Sequence, residues 1–260
     1  MNTELKVSLI QTSLVWGNPI QNRINLEQKI RTINEKTDIV ILPEMFTTGF
    51  SMNPDSLAEN MNGITIDWMT KLANELDIAI TGSIIIEENN LFRNRLIFVT
   101  PEGKIQHYDK RHTFTLAGEH EVYEAGKEKL VFDYLGWKIC PLICYDLRFP
   151  VWARNAENYD LLLYVANWPK PRINAWDTLL KARAIENMSY CIGVNRVGLD
   201  ANALEYSGHS ACYDVLGNKI STIPANKEFI ETVTLSKTHI KDYRSRLQFL
   251  QDQDRFSVSL

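Results

Sequence analysis

Three side chains of this 260-residue chain supply, between them, a nucleophile, a proton carrier and a cation. Cys144 ends the apolar run Ile139-Cys140-Pro141-Leu142-Ile143. Glu44 ends Ile39-Val40-Ile41-Leu42-Pro43, and Lys110 follows the strand-like segment Ile105–Tyr108. In α/β folds ligands bind outside the carboxyl ends of strands, so residues at three such ends can converge on one pocket. The nucleophilic form of cysteine is the thiolate. A free thiol titrates near roughly 8.5 and a neighbouring cation lowers that value, a part open to Lys110. Glu44 is the candidate base, taking the thiol proton and later passing it to a leaving amine. Attack on an amide carbonyl creates an oxyanion, for which the Lys110 ammonium and the backbone N–H of Tyr145 are candidate donors. Water would then hydrolyse the thioester. The chemistry these residues point to is cleavage of a small carbon–nitrogen bond. Taken singly, each has an ordinary structural reading: a packed cysteine, a turn glutamate, a solvated lysine.

The elements that must position them are short apolar runs of strand length. They are Leu5–Gln11, Ile39–Pro43, Ile78–Ile86, Arg95–Thr100, Lys138–Cys144, Leu161–Ala166 and Tyr190–Asn195, followed by Ala211–Tyr213, Lys219–Ile223 and Phe229–Leu235. Asn22–Asn34, Thr65–Leu76 and Ala175–Met188 carry apolar residues at near-helical spacing. Pro101-Glu102-Gly103 and Leu216-Gly217-Asn218 read as hairpin connections. Each hairpin follows a strand–helix–strand series, so the chain divides into two similar halves. Alternating strands and helices predict an α/β layered fold. Two packed sheets with helices outside fit the halves, and a single doubly wound sheet is the competing arrangement.

Composition narrows the function classes. With 45% hydrophobic residues and no Pro-, Gly- or Ser-rich linker, one domain over 1–260 is expected. A formal net charge of -4 argues against sequence-independent nucleic-acid binding, which needs a basic surface. No apolar stretch approaches the ~20 residues that span a bilayer, and the first residues lack a signal-peptide pattern. The four cysteines, Cys140, Cys144, Cys191 and Cys212, form no Cys-x-x-Cys pair. A reducing, cytoplasmic setting is expected. There is no phosphate-binding glycine loop and no zinc spacing, so no cofactor is expected.

In three motifs the chain resembles the nitrilase superfamily of carbon–nitrogen hydrolases. They are Leu42-Pro43-Glu44-Met45-Phe46, Tyr108-Asp109-Lys110-Arg111-His112 and Cys144-Tyr145-Asp146-Leu147-Arg148-Phe149-Pro150. The likeness runs from Val7 to about Leu235. It implies a Glu44–Lys110–Cys144 triad and a second active-site glutamate after the lysine. In Gly118-Glu119-His120-Glu121 that residue is matched to Glu119, with Glu121 as the alternative. It further implies an α-β-β-α sandwich of two mixed sheets and a homodimer. A C-terminal helix and tail, residues 236–260, would reach toward the partner. Arg183-Ala184-Ile185-Glu186-Asn187 also resembles a family motif, with Arg183 and Glu186 spaced to pair on a helix.

Within that superfamily, Glu44–Met52, Ala117–His120, Ala166-Asn167-Trp168-Pro169 and Trp176–Gly198 resemble the bacterial omega-amidases. The resemblance implies hydrolysis of 2-oxo acid monoamides such as 2-oxoglutaramate, with release of ammonia. Such a substrate needs a cation for its far carboxylate. Arg148 and Arg172 are the candidates, ahead of Lys170. Arg148 has a second reading, in which it pairs with Asp146 to hold the turn that presents the thiol. Phe46, Phe50 and Trp168 are candidates for an apolar wall, or for core. Four rivals remain beside the amidase. A papain-like peptidase would need His209 or another histidine beside the thiol. A metal hydrolase would draw on His112, Glu119, His120 and Glu121. A non-catalytic binder would share the fold, and nitrile hydrolysis would share the triad.

Overall fold

A computed structural model describes residues 3–258. In chain order the first half contains β1 (Glu4–Gln11), α1 (Pro19–Arg31), β2 (Ile39–Ile41), α2 (Ile64–Leu76), β3 (Ala79–Glu88), β4 (Leu91–Val99) and β5 (Ile105–Asp109). A short helix α3 (Glu119–Val122) leads to β6 (Phe132–Tyr134), β7 (Trp137–Ile143), α4 (Pro150–Ala153), β8 (Leu161–Ala166), α5 (Ile173–Asn187) and β9 (Tyr190–Asn195). The chain closes with β10 (Val197–Leu199), β11 (Glu205–Ser207), β12 (Ala211–Tyr213), β13 (Phe229–Ser236) and α6 (Lys237–Leu247).

Two mixed sheets form, in the orders β13-β1-β2-β3-β4-β5 and β12-β9-β8-β7-β6. Side-chain alternation explains why they stack. On β1 and β2, Leu5, Val7, Leu9, Ile39 and Ile41 point into a core shared with Ile139, Leu142, Leu161 and Leu163 of the second sheet. Their alternates Ile10, Val40 and Leu42 meet Leu26 and Ile30 of α1 and Met69 and Leu72 of α2. On the far side, Trp176 and Leu180 of α5 lie against Gly193, where an added Cβ would meet Leu180 at 2.5 Å. The layers are therefore helix, sheet, sheet, helix, and the single doubly wound sheet is excluded.

Most expected elements form. Pro101-Glu102-Gly103 turns β4 into β5, with Gly103 at φ +77. Lys219–Ile223 does not become a strand and keeps only the bridge Tyr213↔Lys219. Its backbone and that of its neighbours are satisfied by side chains instead. Asp214 accepts from the N–H groups of Leu216 and Asn218, and Glu231 accepts from that of Thr222. The Thr238–Gln253 segment is helical only through Leu247, followed by a 3-10 turn at Phe249–Gln251. The last two residues of the expected tail lie outside the described residues.

Candidate active site

Glu44, Lys110 and Cys144 meet at one end of the stacked sheets. Glu44 stands three residues beyond β2, Lys110 directly follows β5, and Cys144 directly follows β7. All three are buried. Lys110 Nζ donates to Glu44 Oε1 at 2.8 Å and to Glu119 Oε1 and Oε2 at 3.0 and 2.9 Å. Glu119 is fully buried, whereas Glu121 is exposed. The carboxylate on the lysine is thus Glu119.

Electrostatics follow from this packing. Burial works against the Lys110 ammonium, but Glu119 and Glu44 outweigh it and hold the lysine above its ordinary range. Glu119 is pushed up by burial and by Glu44, against the pull of Lys110. Burial and the Glu44 carboxylate push the Cys144 thiol well above its usual value, and Lys110 only partly opposes them. The lowering expected from Lys110 is present but outweighed. That direction favours the protonated form of the thiol, with Glu44 among its near charges.

The turn that presents Cys144 is held open by force of its surroundings. Cys144 has φ +44, a left-handed conformation that costs a non-glycine residue roughly 1–3 kcal/mol. Asp146 offsets that strain. It accepts from Tyr108 Oη at 2.9 Å, Ile143 N at 3.0 Å, and His112 N and Nδ1 at 2.9 and 2.8 Å. Behind the turn, Arg183 Nη2 donates to Leu147 O at 2.6 Å while Nη1 pairs with Glu186 at 2.9 Å. Arg183 and Glu186 are architecture, as their spacing predicts. The expected Asp146–Arg148 pair is absent, because His112 and Tyr108 already occupy both Asp146 oxygens.

Arg148 instead faces a cavity of about 480 Å³ that opens onto Cys144 and Lys110. Its guanidinium lies 4.9 Å over the Trp168 ring, and that of Arg172 lies 5.1 Å over Phe114. Both arginines line the cavity, and neither forms an ion pair among the described residues. Lys170 points away, exposed and paired with Glu205 at 2.7 Å. Phe50 and Trp168 belong to the wall, with Phe50 5.1 Å from Lys110 Nζ. Phe46 does not. It is core, wedged against Gly82, where an added Cβ would meet its Cδ1 at 2.7 Å. The Tyr145 side chain lines the cavity, and its N–H sits at the start of a 3-10 turn, where donors lack intrahelical acceptors.

Two asparagines were not singled out by sequence reasoning. Asn94 of β4 donates to Glu44 Oε1 at 2.8 Å and Glu119 Oε1 at 3.3 Å. Asn167 donates its N–H to Glu44 Oε2 and its Nδ2 to Glu44 O, both at 2.7 Å. The available signals were a polar residue inside an otherwise buried strand and a fourth strand end, that of β8, carrying an amide. Of the histidines in the rival readings, His112 is engaged with Asp146 at 2.8 Å and His209 with Asp177 at 2.9 Å, and no group of three metal-ligating side chains forms among the described residues.

The family model for carbon-nitrogen hydrolases matches residues 6–245. An omega-amidase of Yersinia enterocolitica is 44% identical over 254 residues, covering 97% of this chain and 98% of that protein. A 2-oxoglutaramate amidase of Bacillus subtilis is 34% identical over 220 residues, 83% and 85% of the two chains. Among solved structures, a CN-hydrolase superfamily protein of Xanthomonas campestris, with an arsenic adduct in its active site, superposes with TM-score 0.96. It is 43% identical over 100% of both chains. A fold of two stacked mixed sheets, a cysteine, lysine and glutamate pair at their shared end, and this full-length similarity agree: the chain belongs to the carbon–nitrogen hydrolase family.

Proposed function

We propose that the protein is an omega-amidase. It hydrolyses the terminal amide of a small 2-oxo acid monoamide, of the 2-oxoglutaramate or 2-oxosuccinamate type, to the acid and ammonia. One observation carries the reading: Cys144, buried against Glu44 and Lys110, opens into a cavity whose wall holds two guanidiniums with no carboxylate of their own. Relatives named omega-amidase and 2-oxoglutaramate amidase support it.

The geometry supports the following steps. The far carboxylate of the substrate docks on Arg148 and Arg172. Glu44 takes the thiol proton as Sγ attacks the amide carbon, so charge passes to the carbonyl oxygen rather than resting on sulfur. The Lys110 ammonium and the Tyr145 N–H receive that oxyanion. As the tetrahedral adduct collapses, the C–N bond breaks and Glu44 returns its proton to the leaving ammonia. Water then gives a proton to Glu44, adds to the thioester carbon and expels Sγ, which is reprotonated. Glu119 and Asn94 keep Lys110 and Glu44 in register through this cycle.

A homodimer in a cytoplasmic setting completes the reading. Phe249 and Phe256 expose apolar surface near the C-terminus, and four free cysteines suit a reducing compartment. The net charge of -4 weighs against nucleic-acid partners. The test is ammonia release from 2-oxoglutaramate beside glutamine, an aliphatic amide and a nitrile, with Cys144→Ala as control. Turnover of the oxo acid amide that vanishes in the variant supports the proposal. Preference for another panel member rejects the substrate while keeping the nucleophile, and turnover that survives Cys144→Ala rejects the nucleophile.

A further inference from the structure

Arg196, the residue after β9, is fully buried, yet it forms no ion pair among the described residues. Its donors go to backbone carbonyls: Nη2 to Leu14 O at 3.2 Å and Leu199 O at 3.0 Å, and Nε to Val197 O at 3.4 Å. Its face lies 4.7 Å over the Tyr206 ring. Nη1 has no partner and sits 3.4 Å from where a Cβ on Gly49 would be, a position also 3.0 Å from the Trp16 ring. Burial pulls this guanidinium below its ordinary range. A buried, unpaired charge is unfavourable, and an aliphatic side chain would fill the same volume without that cost.

What the charge holds together is the outer wall of the cavity. The contacts of Arg196 adjoin three lining segments: Leu14 stands two residues before Trp16, Gly49 immediately precedes Phe50, and Val197, Leu199 and Tyr206 belong to the hairpin. Strands β10 and β11 of that hairpin pair only with each other and join neither main sheet. Within the hairpin, Asp200 accepts from Asn202 N, Leu204 N and Tyr206 Oη at 2.8, 3.0 and 3.1 Å, which shapes the turn but does not anchor it. Anchoring falls to the Val197 N–H on Thr12 O at 3.0 Å, the Asn226 N–H on Ser207 O at 2.8 Å, the exposed Lys170–Glu205 pair, and Arg196. A planar guanidinium can serve carbonyls on two segments while stacking on an aromatic ring; a lysine ammonium cannot.

We infer that Arg196 is a positioning residue for the amidase: its guanidinium seats the β10–β11 hairpin and the Trp16 and Phe50 loops as one wall, and so sets how tightly the cavity closes on substrate without touching it. The kinetic half of this inference rests on the proposed amide hydrolysis; the seating half does not. The experiment combines hydrogen exchange with steady-state kinetics on 2-oxoglutaramate for Arg196→Met and Arg196→Lys. In Arg196→Met, amides of residues 199–206 are expected to exchange at least about tenfold faster, with those of β7 and β8 unchanged. KM is expected to rise by about tenfold or more while kcat changes less than about threefold. Arg196→Lys should recover part of the KM. Unchanged hairpin exchange overturns the inference, and so does a fall in kcat at constant KM, which would put Arg196 in the chemical step. Should Arg196→Met fail to fold, Tyr206→Leu keeps the guanidinium and removes the ring stacked on it; unchanged exchange at 199–205 then overturns the seating. If the wild type leaves 2-oxoglutaramate intact, the substrate proposal fails while hydrogen exchange still decides the seating.

Discussion

Replacing Arg172 by alanine removes one of two guanidiniums from the cavity wall and leaves Glu44, Lys110 and Cys144 untouched. Arg172 stacks on Phe114 and Arg148 on Trp168, so each guanidinium is held in place before a ligand arrives. A hydrogen bond to a charged group contributes roughly 1.5–3 kcal/mol, or about 10- to 150-fold. Arg172 is only half-buried, and solvent screening places it at the lower end, so kcat/KM for 2-oxoglutaramate should fall by roughly 10- to 30-fold. Arg148→Ala should cost a similar factor. The double variant should lose less than the product of the two, because both arginines would share one carboxylate. For a neutral aliphatic amide, which offers the clamp nothing, each loss should stay under about threefold. The assay is steady-state ammonia release from both amides with each variant. Equal losses on the anionic and neutral amides would refute the clamp and leave these arginines as scaffolding.

Glu119→Gln takes one negative charge from the bidentate contact on Lys110. It should lower kcat by about 10- to 150-fold with little change in KM; a change in kcat below about threefold would remove Glu119 from the catalytic set. Asp146→Asn weakens four hydrogen bonds that hold the strained Cys144 turn. Thermal denaturation should show roughly 1–3 kcal/mol lost, and an unchanged melting temperature would mean that the turn is held by other contacts. Cys140 is one of several buried groups that contribute to alkaline stability, since burial pushes it up to about 12 from its usual 9.0. The unfolded chain releases this proton first, so the stabilisation is complete below pH 9.0 and is lost as pH climbs toward about 12. Urea midpoints should fall across that window and fall less in Cys140→Ala; parallel curves would contradict the assignment.

The meeting of Glu44, Lys110 and Cys144 was legible because three motifs resembled a known family and because Glu44 and Cys144 each end an apolar run, a position that periodicity locates well. The same reasoning could not choose hydrogen-bond partners across the fold. Asp146 and Arg148 are two residues apart and look like a pair, yet Asp146 is claimed by Tyr108 and His112, which arrive from the other sheet. Phe46 and Phe50 read alike in sequence. Only the approach of Gly82 draws Phe46 into the core and leaves Phe50 on the cavity. Asn94 sits in an alternating strand where any side chain of suitable size would satisfy the pattern; its value lies in two carboxylates brought to it from 50 residues upstream and 25 downstream. The β10–β11 hairpin escaped notice because its strands span three residues each, below the length at which alternation carries a signal.

The site also explains why the two sheets must stack in one register. Glu44 and Lys110 belong to the first sheet, Cys144 and Asn167 to the second. Asn167 grips Glu44 through two 2.7 Å hydrogen bonds, one to the carboxylate and one to its own backbone carbonyl. The latch fixes the proposed base relative to the strand end next to that of the nucleophile, since β8 runs parallel to β7. The third strand end of that group, Asn195 of β9, continues it: its Oδ1 accepts from Trp168 N at 2.7 Å and its Nδ2 donates to Trp168 O at 2.9 Å. Sliding one sheet over the other by a single residue would therefore break the latch and move Glu44 off the thiol together. A buried thiol whose proton is held more firmly than usual needs its proposed base within reach. Carrying the two groups on separate sheets is workable because the amides at the ends of β8 and β9 tie those sheets beside the reaction centre.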